Sequence, residues 1–243
     1  AADGVTVAAL AREDLSTVAV GAAGGTAGIG VAASVVVLNA TTHAFIGEDD
    51  TDGLGATVDA GGSVLVKAFD DTKSLTIGGA LGAGLAGVGA GASVIVLNKD
   101  TRAFVGADSV VDADGQGAPL AGVLDGSNTG AGFGSESSGQ SDAETGEAEV
   151  DYRGLAAQAG SREYLVTIGV AAGGGFVGVA GGVNVAVIDS DTTAFIGAGA
   201  AINRNPDGGE HANQSVNVSA SNELDALQFA GALAGGLAGL AGG

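Results

Sequence analysis

Short runs of Val, Ile and Leu recur along the chain, and Gly, Asn or Asp residues separate them. Three of these runs read SVVVLN, SVIVLN and NVAVID, at residues 34–39, 93–98 and 184–189. Short β-branched runs that end at turn-forming residues are typical of β-strands. Because these runs are apolar at successive positions, both faces of each strand are expected to be covered. The pattern therefore predicts an all-β fold.

A second motif, TxAF followed by Ile or Val and then Gly, comes shortly after each of these runs. Successive side chains of a strand point to opposite faces, so the Ala and the Ile or Val share one face. The Phe shares the other face with a residue that varies between repeats. Equivalent Phe rings are therefore predicted to pack in a ladder, formed by Phe45, Phe104 and Phe195.

Polar and glycine positions at the ends of both motifs predict turns. Asn and Asp side chains bond to nearby backbone groups and tolerate a left-handed conformation, and Gly accepts a positive φ without strain. The predicted turn positions are Asn39, Asn98, Asp189, Gly47, Gly106 and Gly197.

The motifs recur with a period of about 59 residues, which is the separation of Phe45 and Phe104. Phe195 follows Phe104 at a longer distance, so the second repeat contains an insertion of about 32 residues. Another recurring run occupies residues 5–9, 64–68 and 216–220, with residues 150–154 as its divergent copy. The predicted repeats are residues 1–63, 64–149, 150–215 and, as a partial copy, 216–243.

The insertion lies at residues 112–149 and is rich in Gly, Ser and acidic residues. This composition is typical of a loop. We expect the insertion to project from one face of the repeat stack without breaking it, as a mobile loop or as a binding surface.

Repeats of this kind predict a parallel β-helix, or β-solenoid, because one coil cannot bury its apolar face alone and stacked coils build a continuous core. Three coils of about 20 residues would fit one repeat. At about 4.8 Å per coil, the segment would then be a rod of roughly 60 Å.

Composition narrows the class of protein. The chain has 243 residues with 47 Gly, and aromatic residues make up 4% while hydrophobic residues make up 46%, so the core must be filled by small side chains. The formal net charge is −20, and such a surface repels nucleic acid and anionic lipid. We therefore expect no nucleic-acid partner and no direct insertion into a membrane.

Two uncharged stretches leave an alternative open. Residues 74–98 and 164–188 each span about 25 residues, which is enough for a transmembrane helix, and small residues recur in them at helix-packing spacing. Their many Gly residues and β-branched ends favour strands, and no basic flank orients them. A membrane-active Gly-rich protein is therefore the weakest of our hypotheses.

Residues suited to catalysis are scarce. The chain has two His and no Cys; His43 occupies a position where other repeats have Arg102 or Thr193, and His211 lies in a polar loop. Gly-rich runs such as residues 82–87 resemble a dinucleotide loop, but they recur in every repeat and lack the strand–helix context. The sequence therefore predicts no enzyme activity and no cofactor.

One acidic loop is a candidate for calcium. Glu48, Asp50, Asp52, Gly53 and Asp59 loosely follow the spacing of a calcium-binding loop. The first and last residues are not those that such loops use, and the equivalent loops of the other repeats do not share the arrangement. A solvated acidic turn is therefore the favoured interpretation, and calcium binding is the alternative.

The motifs together resemble the repeats of leukotoxin-type filamentous adhesins of bacteria. The resemblance rests on a Gly/Ala-rich run, the SVxV run and the TxAF motif, at residues 26–47, 85–106 and 175–197. That family more often has Tyr where this chain has Phe. The resemblance implies a very large secreted or surface-anchored protein with a β-solenoid shaft that adheres to cells or surfaces, and it implies no catalytic residues.

These observations give two main hypotheses for function. The first is a shaft segment of a bacterial extracellular adhesin or filament, whose partners are adjacent repeats, other copies of the protein and a host or neighbouring cell surface. The second is a self-assembling sheath or filament subunit. The chain starts in a strand-like run and ends within a repeat, so we expect it to be a segment of a longer polypeptide at the bacterial cell surface.

Overall fold

The structure, a computed structural model, describes residues 4–49, 54–128, 147–204 and 209–243. These residues form strands and turns and contain no helix, which confirms the all-β prediction. The strands within them are β1 (Val5–Ile46), β2 (Thr57–Ala60), β3 (Val64–Val105), β4 (Val110–Ala113), β5 (Leu120–Asn128), β6 (Glu147–Tyr152), β7 (Gly154–Ile196), β8 (Ala201–Ile202), β9 (Ser215–Gly235) and β10 (Ala238–Gly242).

The long strands stack in parallel, with equivalent positions of successive repeats directly paired. β1 pairs with β3, β3 with β7, and β7 with both β9 and β10. Val5 pairs with Val64, Val64 with Leu155, and Leu155 with Val216. The parallel β-helix-like fold is thus confirmed.

The predicted three coils per repeat are wrong, because each residue pairs with its equivalent one whole repeat away. One repeat therefore forms one layer of the stack, which we call a rung. Rungs lie about 4.8 Å apart, so the four rungs occupy roughly 15–20 Å and not the expected 60 Å.

Each long strand folds back on itself near its middle. In β1, the Ser34 hydroxyl donates a hydrogen bond to the Thr17 carbonyl, and a Cβ atom added at Gly21 would overlap the Val31 carbonyl. The corner lies at Gly25, whose φ of 143° is open to Gly and strained for other residues. We call residues 5–24 and their equivalents the outgoing wall, residues 27–46 and their equivalents the return wall, and the two together the arm.

A short third sheet closes the base of the arm. β2, β4 and β8 pair in parallel, with Val110 between Thr57 and Ala201. The inward side chains of the three sides meet in one apolar cluster, which we call the base core. Its fully buried members include Val64, Val66, Ala103, Val105, Val111 and Leu155.

A second apolar cluster lies farther along the arm, between the two walls. Its buried members are Val36, Ile95, Leu97 and Leu165. Beyond this cluster the walls approach so closely that glycine replaces larger inward residues. A Cβ atom added at Gly87, for example, would overlap the carbonyl oxygen of Gly174 in the next rung.

The insertion forms a strand at each of its ends, where its composition predicts a loop. β5 and β6 form an antiparallel hairpin that packs on the outer face of the outgoing wall, where Val123 and Tyr152 cover Leu65 and Ala156. The Tyr152 hydroxyl donates to the Leu155 carbonyl at 3.1 Å, and burial raises the pKa of this phenol. Residues 129–146 of the insertion lie outside the described residues.

Two predicted boundaries need correction. Residues 150–154 are not the third copy of the run at residues 64–68, because Leu155 pairs with Val64 and residues 147–152 belong to the hairpin. The third rung therefore begins at residue 154 and not at 150. The insertion begins after Ala113 and not at 112, since Asp112 and Ala113 pair in register with Asp59 and Ala60.

The two uncharged stretches are strands. Residues 74–98 lie in β3 and residues 164–188 in β7, so the alternative of a transmembrane helix is wrong for both. Among the residues that the structure describes, no helix has the length and apolar character needed to cross a membrane.

Candidate functional site

A layer of polar side chains lies between the two apolar clusters of the arm. It occupies the inward positions 11 and 13 of the outgoing wall and 40 and 42 of the return wall, with their equivalents in the other rungs. Positions 9 and 44 belong to the base core, and positions 15 and 38 belong to the second cluster. We call this group of residues the polar layer.

Lys99 is the centre of the polar layer. Its Nζ lies 2.6 Å from Asp70 Oδ1 on the opposite wall of the same rung and 3.2 Å from Glu163 Oε1 in the next rung. All three side chains have no solvent exposure. Such burial removes the hydration of the charges, so the ion pairs must offset a cost of several kcal/mol per group.

Hydroxyl groups hold the two carboxylates in place. The Thr42 hydroxyl donates to Asp70 Oδ2 at 3.1 Å, so both Asp70 oxygens have a partner. The Ser161 and Ser190 hydroxyls donate to Glu163 Oε1 at 2.6 and 2.9 Å. Glu163 Oε2 is buried and has no hydrogen-bond partner among the described residues.

A third carboxyl group borders this centre. The Thr72 hydroxyl lies 2.9 Å from Glu13 Oε2 and 3.3 Å from Asp70 Oδ1, and so links the two acids. The pKa of Glu13 is raised, mainly by burial and next by the negative charge of Asp70. Three carboxyl groups therefore face a single ammonium group in this part of the arm.

The other rungs do not repeat this arrangement. The equivalents of Lys99 are Ala40 and Ser190, and the equivalents of Asp70 are Ala11, Ser161 and Asn222. A buried ion pair stabilises a protein less than well-packed apolar residues do. Small side chains suffice at these positions elsewhere in the stack, so the triad is a local departure that stacking alone does not require.

The predicted Phe ladder is present on the outer face of the return wall. Phe104 stacks on Phe45 with a centroid separation of 5.1 Å, and on Phe195 at 4.8 Å. As predicted, the Ala and Ile or Val of the same motif point inward, and Ala44, Ile46, Ala103 and Val105 belong to the base core.

The predicted turn positions have mixed outcomes. Asn39, Asn98 and Asp189 do not form turns but lie within β1, β3 and β7, where Asn98 Nδ2 donates to Asn39 Oδ1 at 2.7 Å. The side-chain amides bond along the stack, so the backbone stays extended.

The three predicted glycine corners do end the long strands. Gly47 has the expected positive φ of 78°. Gly106 and Gly197 have no positive φ; a Cβ atom added at either would overlap or crowd backbone atoms of the neighbouring rung. Close approach of the backbone explains glycine at these two positions.

Both histidines make structural contacts. His43 Nε2 lies 3.1 Å from Asp100 Oδ2 on the outer face of the return wall, and Arg102 Nε donates to Asp100 Oδ1 at 2.7 Å. The His211 backbone amide donates to the Asp114 carbonyl at 2.7 Å, and its Nδ1 accepts from the Asn213 amide.

The calcium candidates are not brought together among the described residues. Glu48 is exposed in the loop after β1, Asp59 lies on β2, and Asp50 and Asp52 lie outside the described residues. Asp59 neighbours another acidic residue, Asp114, whose pKa is raised by burial and then by surrounding negative charges, which include Asp59. Among the described residues, no group of three or more His, Cys, Asp or Glu side chains is arranged to hold a metal ion.

The outer faces of the arm beyond the polar layer are apolar. On the outgoing wall the exposed side chains include Val18, Val20, Leu75, Leu81, Leu227 and Phe229. On the return wall they include Ile29, Val31, Val35, Val37, Val183 and Val187. Exposed apolar patches larger than a few hundred Å² mark interaction sites in soluble proteins.

Sequence reasoning did not find the triad of Lys99, Asp70 and Glu163. A signal was available, since each of the three is a charged residue at a position where at least one other repeat has a small or uncharged residue. The three residues meet only because the arm folds back and the rungs stack.

Comparison of the chain with protein-family models, with curated proteins and with solved structures finds no match.

Proposed function

We propose that this chain is a structural shaft segment of a large bacterial extracellular adhesin or filament that mediates attachment at the cell surface. The observation that carries the proposal is the register of the long strands, in which each residue lies on its equivalent in the next rung. A stack of this kind lengthens in one direction as repeats are added, and each repeat contacts only its neighbours. A stack that lengthens in this way is suited to act as a spacer.

The ends of the stack support growth along its axis. Val64 and Leu155, in the inner rungs, have no exposure, whereas their equivalent Val216 in the last rung is 47% exposed. Among the residues described, β9 pairs only with β7 and its other edge has no strand partner. A further rung, from the same chain or from a second copy, would bury Val216 and satisfy this edge.

Attachment is the part of the proposal that comes from the resemblance to filamentous adhesin repeats. The acidic surface fits an extracellular setting, because net charge of −20 keeps a protein soluble in salt. Attachment is tested by coating beads with the chain and counting the beads that bacterial and animal cells retain. Retention equal to that of beads coated with an unrelated acidic protein would remove attachment from the proposal.

The shaft itself is tested by sedimentation velocity and electron microscopy at increasing protein concentration. We expect end-to-end threads with a repeat of about 4.8 Å along the axis. Val218→Lys places a charge inside the last rung and should block elongation. Ser221→Lys adds the same charge on the outer face of the same strand and should not. Compact particles that stay monomeric at every concentration, with or without the substitutions, would overturn the proposal.

A second candidate function, a laterally associating sheath or filament subunit, is favoured by the two apolar faces of the arm. Ten residues of wall form a face of about 600 Å² across the four rungs of the outgoing wall, and a somewhat smaller face on the return wall, where the fourth rung contributes residues 238–242. Two copies that meet through one such face would bury about 1,200 Å² in total, the lower limit of a stable interface. The arm is uncharged at residues 74–98, so arms can approach without bringing like charges together.

Lateral association predicts flat bundles or sheets instead of single threads. Val187→Lys introduces a charge into the apolar face of the return wall and should disperse such bundles. Thr193→Lys is the matched control, because it places the same charge on the same face outside the apolar patch, at the position equivalent to Arg102. If both variants form the same bundles as the unmodified chain, the apolar face of the return wall is not the interface.

A further inference from the structure

The buried triad of Lys99, Asp70 and Glu163 places an amine against a carboxyl group with a second carboxyl group beside them. Lys99 and Asp70 lie on opposite walls of one rung and are 29 residues apart in the chain. From this geometry we propose that Lys99 and Asp70 join in an intramolecular amide (isopeptide) bond, with Glu163 transferring the protons.

Proximity favours this reaction. Lys99 Nζ lies 2.6 Å from Asp70 Oδ1, so the nitrogen is held beside the carboxyl carbon that carries this oxygen. An amine attacks a carboxyl carbon from about 3–3.5 Å. Because the fold already holds the two groups at this range, the reaction does not bear the entropy cost of bringing two separate molecules together. Strand pairing in both walls holds the groups in place, since Asp70 and Lys99 each lie inside a long paired strand.

Exclusion of solvent from the triad is the second condition. None of the three side chains is exposed, so the ammonium and the carboxylates have lost their hydration. The three groups therefore interact with one another and not with bulk water, which would otherwise separate the amine from the carboxyl carbon. Enclosure also protects the product from hydrolysis.

Glu163 supplies the proton transfers. Its Oε1 lies 3.2 Å from Lys99 Nζ, and its Oε2 is buried without a partner among the described residues, which suits a carboxyl group that takes up or gives away a proton. Glu163 accepts a proton from the attacking nitrogen and delivers one to the departing Asp70 oxygen. Thr42, which donates to Asp70 Oδ2, stabilises the negative charge that develops on that oxygen.

The reaction balances without an oxidant or a co-reactant. A C–N bond forms between Asp70 Cγ and Lys99 Nζ, and the bond from Cγ to one carboxyl oxygen breaks. The two protons lost from the ammonium group, counted from the ion pair, leave with that oxygen as one water molecule. Glu163 ends in the protonation state in which it began.

The bond would connect the two walls of the second rung covalently. The chain has no Cys, so it cannot use a disulfide for this purpose. A cross-link at one rung would hold the arm closed when the stack is under tension, and it does not depend on which partner the stack has. The other rungs have Ala or Ser in place of Lys99, so the bond would form in the second rung among those described.

Mass spectrometry of the purified, denatured chain tests the proposal. We expect the intact mass to be lower than the sequence mass by one water molecule. Tryptic digestion should yield residues 68–73 joined to residues 74–102, with cleavage blocked at Lys99, and fragmentation should place the link on Asp70 and not on Asp71. A full sequence mass with free Lys99 would overturn the proposal and leave the triad as an ion pair.

Variants separate the cross-link from other losses of water. Lys99→Arg keeps the charge and lacks the reactive amine, so this variant should have the full sequence mass. If the variant still lacks one water molecule, the loss comes from an Asp succinimide, and the assignment to Lys99 and Asp70 is overturned. Glu163→Gln keeps the shape of the side chain and should fold, by circular dichroism, yet form the link more slowly or not at all. Unchanged linkage in Glu163→Gln would overturn the role given to Glu163.

Discussion

Phe104 stacks on Phe195 with ring centroids 4.8 Å apart and an angle of 5° between the ring planes, although the insertion lies between them in the chain. Phe45, one uninterrupted repeat before Phe104, stacks on the opposite side of its ring at 5.1 Å. The insertion therefore leaves the register of the return wall unchanged. Pairing of equivalent positions, and not even spacing along the chain, sets the geometry of the stack.

The central ring of the ladder should matter more than the outer one. Phe104 is 6% exposed and has a ring on each side, whereas Phe45 is 46% exposed at the edge. Phe104→Ala should lower the free energy of unfolding by about 3 kcal/mol, and Phe45→Ala by less than half of that. Urea titration followed by circular dichroism measures both. Equal losses of unfolding free energy would show that the Phe ladder does not stabilise the protein through burial of its rings.

Gly87 is predicted to be intolerant of any side chain. The equivalents of this residue in the other rungs, Gly28, Gly178 and Gly239, are also glycine, and an added Cβ at Gly87 would overlap the Gly174 carbonyl. Gly87→Ala should therefore destabilise the protein by about 1–3 kcal/mol, because the walls must separate.

Gly79 provides the matched control for Gly87. The nearest atom to an added Cβ there is Val170 Cγ2 at 3.7 Å, an ordinary contact. Gly79→Ala should be neutral or stabilise the protein by up to about 1 kcal/mol, since alanine reduces the entropy of the unfolded chain. Thermal unfolding compares the two variants, and a similar loss for both would contradict the close approach of the walls.

Ser93 connects the two walls of the arm through its hydroxyl group, which lies 2.8 Å from the Ile168 carbonyl in the next rung. Ser93→Ala should cost about 1 kcal/mol of unfolding free energy, because a buried carbonyl loses its donor. Ser93→Asn should restore much of it, since the equivalent Asn184 donates from Nδ2 to the Phe229 carbonyl, which is the equivalent of the Ile168 carbonyl one rung further on. Chemical denaturation provides the comparison, and an unaffected Ser93→Ala variant would exclude this hydrogen bond as a stabilising contact.

The repeat and the Phe ladder could be predicted from the sequence because a motif that recurs unchanged must occupy equivalent positions. The alternation within TxAF also determines which side chains point inward, as Ala103 and Val105 show. The predicted turn at Asn98 is wrong for a physical reason. In a parallel in-register stack, the amide of Asn98 bonds to Asn39 in the rung beside it, and this ladder competes with the local turn that Asn otherwise favours.

The number of coils per repeat and the triad could not be predicted from local pattern. Which residue pairs with which is a long-range property, and the corner at Gly25 lies in a Gly/Ala-rich stretch where many positions look alike. Residues 150–154 resemble the start of a rung because a hairpin strand has the same alternation. Lys99 and Asp70 meet only after the arm folds back, so their chemistry cannot be read from their spacing.

Glu13 should make the protein more stable as the solution becomes mildly acidic. Its pKa in the folded chain is raised above the usual 4.5, mainly by burial and next by Asp70. At a pH above this raised pKa the group is ionised in both the folded and the unfolded chain, and the folded state bears the cost of the buried charge. As the pH falls through the raised pKa, the folded state takes up the proton first and gains stability, until the unfolded chain also becomes protonated.

Glu13→Gln removes this effect while keeping an oxygen that accepts the Thr72 hydroxyl. We expect the variant to be more stable than the unmodified chain at pH 7, and the difference to disappear toward about pH 4. Glu48→Gln controls for the change in net charge, because it removes the same single negative charge from a carboxylate that is exposed. Urea midpoints at a series of pH values test the idea. An advantage of Glu13→Gln that is independent of pH, or equal to that of Glu48→Gln, would mean that the cost is general repulsion in an acidic chain and not the burial of Glu13.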